Sequence, residues 1–402
     1  MSWTSPPLLL LAGSTVTDIQ EQLACDDESI LRRSSRQPAA ADGPFRLAIV
    51  GADKQRLNVA RRVVAAGASW RGRKDVWFSG DDLIGRGGSI ALLFPGLEQK
   101  FNPMLDEVAD QFGLTRLDID EREYSVLNHS ISLLHVGRFL DSVVRRMGIE
   151  PAAIAGHSIG EWNAMVSAGM IPSSSLDAFL SSLDPAVFEL PDCVFAALGC
   201  GADIAEDAIR GIANVVVTHD NCPHQSIICG QEDAVIAAVS RLNGKGVAAR
   251  LLHFRSGFHS PFLAPYIERV AGIAKTPLHL PLVPTWSATT SRPFPEDEIA
   301  TRELMIRHLL EPVRFRTLIE NMHHDGIRAF VQVGVGSLTS FVEDTLAGRD
   351  FVTVATTIPG QPGTQQLCRV AAALWAEGAA LRLDELTADR KPLAMEQLSI
   401  PA

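Results

Sequence analysis

Residues 156–161 read GHSIGE, a serine framed by two glycines with a histidine before it and a glutamate after the second glycine. Where a G-x-S-x-G pentapeptide turns a strand into a helix, the hydroxyl stands at a sharp elbow. The next backbone N–H groups and the helix N-terminus point at the same spot. That geometry would make Ser158 a nucleophile beside an oxyanion site, although the same letters also spell a glycine-tolerant turn with a helix-capping serine. A serine hydroxyl needs a base. His259 in SGFHSP is the candidate, with Pro261 stiffening the turn behind it. Read locally, His259 is equally a core histidine donating to a backbone carbonyl.

The elements that must position these two residues are legible around them. AAIAGHS (152–158) gives a strand running into the elbow, SIALLFPG (89–96) a strand that opens a large α/β domain, and 103–112 and 124–147 two helices between them,. Residues 193–253 shorten into a β-α-β-β-α-β order, which predicts an inserted ferredoxin-like subdomain,. The large domain resumes at HSPFLAPYIERVAGI (259–273), so His259 lies where the chain re-enters it. Ahead of it all, strands at 8–12 and 46–52, each followed by a helical stretch (17–31 and 55–67), form a small α/β unit; 34–44 and 71–89 read as connectors,. A last helix, 364–379, is expected along the surface. The predicted division is 1–88, then 89–192 with 254–360, the insert 193–253, and a C-terminal helix and tail 361–402.

The totals agree with a globular protein. A chain of 402 residues with 46% hydrophobic content can bury a sizeable core,. A net charge of −11, with the acidic residues dispersed, excludes a nucleic-acid backbone as the natural partner,. The apolar run Leu8–Leu11 is too short for a membrane span or signal peptide and reads as the first strand of a cytoplasmic protein,. Six cysteines without a CxxC pair read as reduced, buried thiols,. HDNCPH (219–224) can be forced into a metal site through His219, Cys222 and His224, but structural zinc draws its ligands from two separated pairs, so no metal is expected,.

Taken in order, FPG (94–96), GHSIGE (156–161), DNCPHQSIICG (220–230), GFHSP (257–261), EPVRF (311–315) and FVQVGVGSLT (330–339) resemble the malonyl-CoA:acyl carrier protein transacylase family, which includes the acyltransferase domains of polyketide synthases. Residues 1–88 resemble the α/β linker that precedes such domains, and AALWAEGAALRL (372–383) resembles the tail that follows them. The resemblance implies ping-pong acyl transfer. Ser158 would be acylated by a CoA- or carrier-bound thioester with His259 as base, and the acyl group passed to the phosphopantetheine thiol of an acyl carrier protein. It implies backbone N–H groups of Leu97 and Ile159 as the oxyanion hole, and His308 as the residue whose main-chain carbonyl orients His259. His157, Asn221, Gln225 and Phe258 would border the acyl pocket. No cofactor is implied, because the thioester already carries the activation energy.

Two departures bear on the cargo. The first loop is FPGLEQK rather than the family's Phe-Pro-Gly-Gln-Gly-Ser-Gln, so Glu98 replaces a glycine. Malonyl-specific members carry an arginine roughly 25 residues after the nucleophile whose planar fork clamps the free carboxylate; counting gives Leu183, and no arginine occurs between 159 and 209. Burying a carboxylate without that partner costs ~3–5 kcal/mol. A non-malonyl acyl, aminoacyl or peptidyl group is therefore expected, with Leu183 as apolar lining. The alternatives are a thioester hydrolase, a malonyl transferase using another cation, and a silent carrier-docking module. Arg61, Arg62, Arg71, Arg73, Lys74, Arg145 and Arg146 are candidates for docking an acidic carrier,.

Overall fold

The computed structural model describes residues 8–32, 43–98, 100–119, 126–183, 190 and 192–387. The first sheet holds β1 (Leu8–Gly13), β2 (Phe45–Val50), β3 (Trp70–Arg71) and β4 (Val76–Ser79) in the order β1-β2-β4-β3, antiparallel throughout. β4 lies inside the expected connector 71–89; its four residues are all buried, so no polar alternation marks it as a strand,. The single helix expected at 17–31 is two, Val16–Leu23 and Asp27–Arg32, because the Asp26 carboxylate accepts from Ser29 N–H at 2.9 Å and restarts the helix,.

β5 (Ser89–Phe94) and β6 (Ala153–Gly156) then pair in parallel, with the helix Val126–Arg146 between them in sequence. The chain departs into β7 (Cys193–Leu198), β8 (Val215–Cys222), β9 (Gln225–Gln231) and β10 (Ala249–Arg255), with helices Ala202–Ile209 and Glu232–Asn243. Their antiparallel order β10-β7-β9-β8 is the ferredoxin-like arrangement the sequence pattern predicts,. The return supplies β11 (Thr285–Ser287), β12 (Arg292–Pro293), β13 (Val313–Arg314), β14 (Ile327–Gln332) and β15 (Val352–Ala355). The central sheet is β12-β11-β6-β5-β14-β15, parallel except at β12. β13 does not join it. Instead it pairs in parallel with β8, tying the inserted sheet to the large subdomain.

The last helix, Gly363–Ala376, corrects the surface placement expected for it. Its residues from Leu374 to Ala376 and most of those before are buried, packed between β2 and β15. LCRVAAALWA is apolar nearly all round, which is the signature of a helix enclosed on every side,. The Glu377 carboxylate after it accepts from Arg71 Nε–H (2.7 Å), Ser79 Oγ–H (3.1 Å) and Leu83 N–H (3.2 Å). Among the described residues no helix is long and apolar enough to cross a membrane.

Candidate active site

Ser158 sits between the C-terminal end of β6 and the helix Gly160–Ser167, with φ of 53°. That left-handed backbone is strained for a side-chain-bearing residue, costing about 1–3 kcal/mol, and persists because the surroundings over-determine it. Both flanking glycines are obligatory. A Cβ on Gly156 would lie 2.2 Å from Glu161 N, and one on Gly160 2.1 Å from Phe94 O and 2.4 Å from Pro95 O. The elbow is thus wedged under the end of β5, whose Phe94 carbonyl also accepts His157 N–H at 2.9 Å. Leu97 and Ile159 border the cavity above the serine, and among the described residues neither N–H is taken by another backbone group. The capping-turn alternative for Ser158 fails, because its hydroxyl is directed at His259.

The Ser158 Oγ–His259 Nε2 distance is 2.7 Å. His259, also at positive φ (59°), is clamped by the end of the helix Glu298–Leu310: its backbone N–H donates to Leu309 O (2.8 Å) and its ring Nδ1–H to His308 O (2.9 Å). Carbonyls of a helix's last turn lack intrahelical partners and carry the negative end of its dipole. They fix the tautomer that leaves Nε2 as acceptor. The local reading of His259 as a histidine donating to a carbonyl was therefore correct as far as it went, and that bond is what aims the ring.

Sequence reasoning passed over two residues here. Glu161 is fully buried; one carboxylate oxygen accepts Ala288 N–H at 3.2 Å and lies 3.2 Å from His308 Nδ1, packing against the residue whose carbonyl holds His259. His219, considered only as a metal ligand, stands edge-on to His259 with ring centroids 5.0 Å apart and stacks on His157 at 5.4 Å. Strand alternation was the available signal, since His219 lies two residues before Asn221 and shares its face. The metal arrangement does not form: His224 turns away to Asp344 (2.7 Å), and burial pushes the Cys222 thiol up to about 12.

The site opens into a cavity of about 450 Å³. His157, Asn221, Gln225 and Phe258 line it, and the first three form a chain: His157 Nε2–H donates to Asn221 Oδ1 (2.7 Å), and Asn221 Nδ2–H to Gln225 Oε1 (2.7 Å). Leu183 does not line it. It follows the helix Ser173–Ser181 and packs into the hydrophobic core instead, so counting from the nucleophile located a core position. Among the described residues the cationic side chains on the cavity wall are Lys100 and Arg250, both exposed. Glu98 is on the wall too, its carboxylate accepting Ser337 N–H (2.9 Å) and Oγ–H (3.3 Å); burial raises its pKa.

Burial dominates the electrostatics of the imidazoles. It lowers His157 to about 4 and pushes His219 and His259 well below the ordinary histidine value, with the neighbouring imidazoles adding to the effect. At neutral pH His259 is uncharged, the state a proton acceptor must be in.

Residues 125–378, more than half of the chain, match the acyl transferase domain family. The spectinabilin polyketide synthase system protein NorB of Streptomyces orinoci is 27% identical over 225 residues, 54% of this chain and 10% of NorB. The acyltransferase domain of an iterative polyketide synthase in enediyne biosynthesis superposes with a TM-score of 0.71 at 21% identity, covering 92% of this chain and 96% of that one. A malonyl-transacylase in complex with its type II polyketide synthase acyl-carrier protein superposes with a TM-score of 0.61 at 19% identity, covering 71% of this chain and 99% of that one. The chain spans only 4% to 16% of the length of three curated relatives it matches. A serine elbow, a carbonyl-clamped histidine and an inserted ferredoxin-like sheet therefore stand in a chain that belongs to the acyl transferase domain family.

Proposed function

We propose that this chain is an acyltransferase of polyketide-type biosynthesis that moves a carboxylate-free acyl group, through an acyl-serine, onto the phosphopantetheine thiol of an acyl carrier protein. The observation that carries the reading is the 2.7 Å contact of Ser158 Oγ with His259 Nε2, with the ring's other nitrogen held on His308 O. In the first half-reaction His259 Nε2 takes the Ser158 proton as Oγ bonds to the thioester carbon. Collapse of the tetrahedral intermediate breaks the C–S bond, and the imidazolium returns its proton to the leaving thiolate. In the second half the carrier thiol gives its proton to His259, sulfur bonds to the acyl carbon, the Oγ–C bond breaks and Ser158 recovers its proton. The oxyanion of both intermediates is held by Leu97 and Ile159 N–H, and loss of one such donor costs ~10²–10³ in rate. The scheme requires neither metal nor organic cofactor.

Two features support a cargo without a free carboxylate. Among the described residues the cationic groups on the wall, Lys100 and Arg250, are exposed, and the same wall carries the Glu98 carboxylate. The test is intact-protein mass spectrometry with malonyl, methylmalonyl, simple acyl and aminoacyl thioesters, with and without a carrier protein. The neutral groups are expected to give the acyl adduct, and Ser158→Ala none. An adduct surviving in Ser158→Ala places the nucleophile elsewhere; efficient malonyl loading overturns the cargo; free acid without transfer makes the protein a hydrolase.

For carrier docking the structure narrows the candidates. Arg61 pairs with Asp27 (2.6 Å), Arg71 with Glu377 (2.7 Å), Arg145 with Asp141 (3.3 Å) and Arg146 with Glu385. Arg62, Arg73 and Lys74 have no carboxylate partner among the described residues and border one shallow cavity on the N-terminal unit. We assign the electrostatic part of docking to these three.

A further inference from the structure

The face of the inserted sheet that forms one wall of the cavity is ordered by strand register. Arg250 pairs with Ala197, Ala197 with Ile227 and Ile227 with His219, so these four form one row across β10, β7, β9 and β8. Three strand spacings of ~4.8 Å put the ends of the row roughly 14 Å apart. Arg250 is exposed at the outer end; His219 is buried at the inner end, against the ring of His259. Between them, among the described residues, the row presents Ala197 and Ile227, with Phe195, Leu252 and Phe254 alongside. The polar group at the inner end of this row is therefore His219; Asn221 and Gln225, also on this wall, have their amides engaged with His157 and with each other.

Its tautomer follows from its partners. Thr218 Oγ–H donates to Ile227 O at 3.2 Å, so at the 2.9 Å contact between Thr218 Oγ and His219 Nδ1 the ring must donate,. Nδ1 thus carries the hydrogen and Nε2 a lone pair, which has no protein partner among the described residues. A buried acceptor left unpaired is unfavourable, and one that lines a cavity is satisfied by what enters it. Burial and the surrounding imidazoles keep the ring neutral, so it acts as an acceptor and is a poor base for water.

We propose that His219 is the specificity-determining residue of the acyl cavity: its Nε2 accepts a hydrogen bond from a hydroxyl or amide N–H carried near the thioester. The cargo is then a neutral, donor-bearing acyl group of the 3-hydroxyacyl or N-acylaminoacyl class. This rests on the acyl-serine reading above. A plain acyl chain of the same length leaves the acceptor unpaired, and a malonyl carboxylate meets a lone pair where it needs a donor.

The experiment compares kcat/KM for Ser158 acylation by butyryl, 3-hydroxybutyryl, N-acetylaminoacyl and malonyl pantetheine thioesters in the full chain and in His219→Phe and His219→Gln. Ratios within each enzyme are read, so that a general effect of disturbing His259 cancels. The wild type is expected to prefer at least one donor-bearing thioester over butyryl by roughly ten- to a hundred-fold; the hydroxyl and amide arms tell which donor is native. His219→Phe is expected to abolish the preference, and His219→Gln, which keeps an acceptor, to retain part of it. Equal loading of butyryl and both donor-bearing thioesters by the wild type overturns the proposal, as does a preference that survives in His219→Phe. Should the variants not fold, the wild-type panel still decides. Absence of any Ser158 adduct with all four thioesters would overturn the acyl-serine reading itself.

Discussion

The two walls of the cleft are built on different principles. On the side of the central sheet, position is set by main chain: the end of β6, two glycines without room for a Cβ, positive φ at Ser158, and N–H groups of Leu97 and Ile159. On the side of the inserted sheet, position is set by side chains standing on alternate residues of antiparallel strands, from Arg250 to His219. Main-chain geometry tolerates almost no substitution, whereas a strand face can exchange side chains without moving its neighbours. The contrast teaches that the first wall fixes positions through the backbone, while the second can vary what it presents to the cavity.

The contrast can be broken most directly at the elbow. Ser158→Ala should remove the acyl adduct and lower kcat/KM by ~10⁴-fold or more, read by intact mass and by transfer to a carrier protein. Gly160→Ala forces a methyl against the Phe94 and Pro95 carbonyls, and should cost ~3 kcal/mol or more in denaturant unfolding, or prevent folding. His308→Asn keeps the carbonyl that aims His259 but removes the buried ring that lies against Glu161 and Thr289. It should lower stability by ~1–3 kcal/mol while reducing kcat less than ten-fold; a larger fall in kcat would give the ring itself a part in catalysis.

Acidification sharpens the same contrast. The pKa values of His157, His219 and His259 are depressed in the folded state, so below the ordinary value of 6.5 the unfolded chain binds more protons,. Stability is therefore fully present above pH 6.5 and declines as pH falls, by up to ~1.4 kcal/mol per pH unit for each such histidine, for His157 down to about 4. Denaturant midpoints at pH 7.5 and 5 should show the decline, and His219→Phe should lessen it. The smallest effect is expected at the surface: charge reversal at Arg62 and Lys74 should slow carrier-dependent transfer a few-fold at low salt and vanish near 0.5 M, as screening predicts.

What the sequence made legible follows the same line. The backbone-determined wall announces itself through the glycines that frame Ser158, whereas His259 reads locally as base or core histidine alike, and its role and that of the His308 carbonyl follow only from the resemblance to acyltransferase motifs. The β-α-β-β-α-β order was equally readable, because each of its elements alternates or repeats with the proper period. The side-chain wall was not. Leu183 was reached by counting, and counting carries no information about which way a residue faces after a helix; it faces the core. His219 needed the strand register, which fixes its contact with a ring 40 residues later in sequence. Glu161 was visible as a letter, but its burial against His308 depends on a residue almost 150 positions away.

The enclosed helix Gly363–Ala376 has a consequence for anyone who would cut or graft this protein. Arg46 Nη1–H reaches the Trp375 carbonyl (3.0 Å), and Arg369 meets Asp75 (2.8 Å). The large subdomain is thus clasped to the small N-terminal unit by a segment lying beyond both Ser158 and His259. Trimming at either place that looks like a seam, near residue 88 or near 360, would strip an apolar surface rather than release a module. A transplantable catalytic unit has to carry both extremities together.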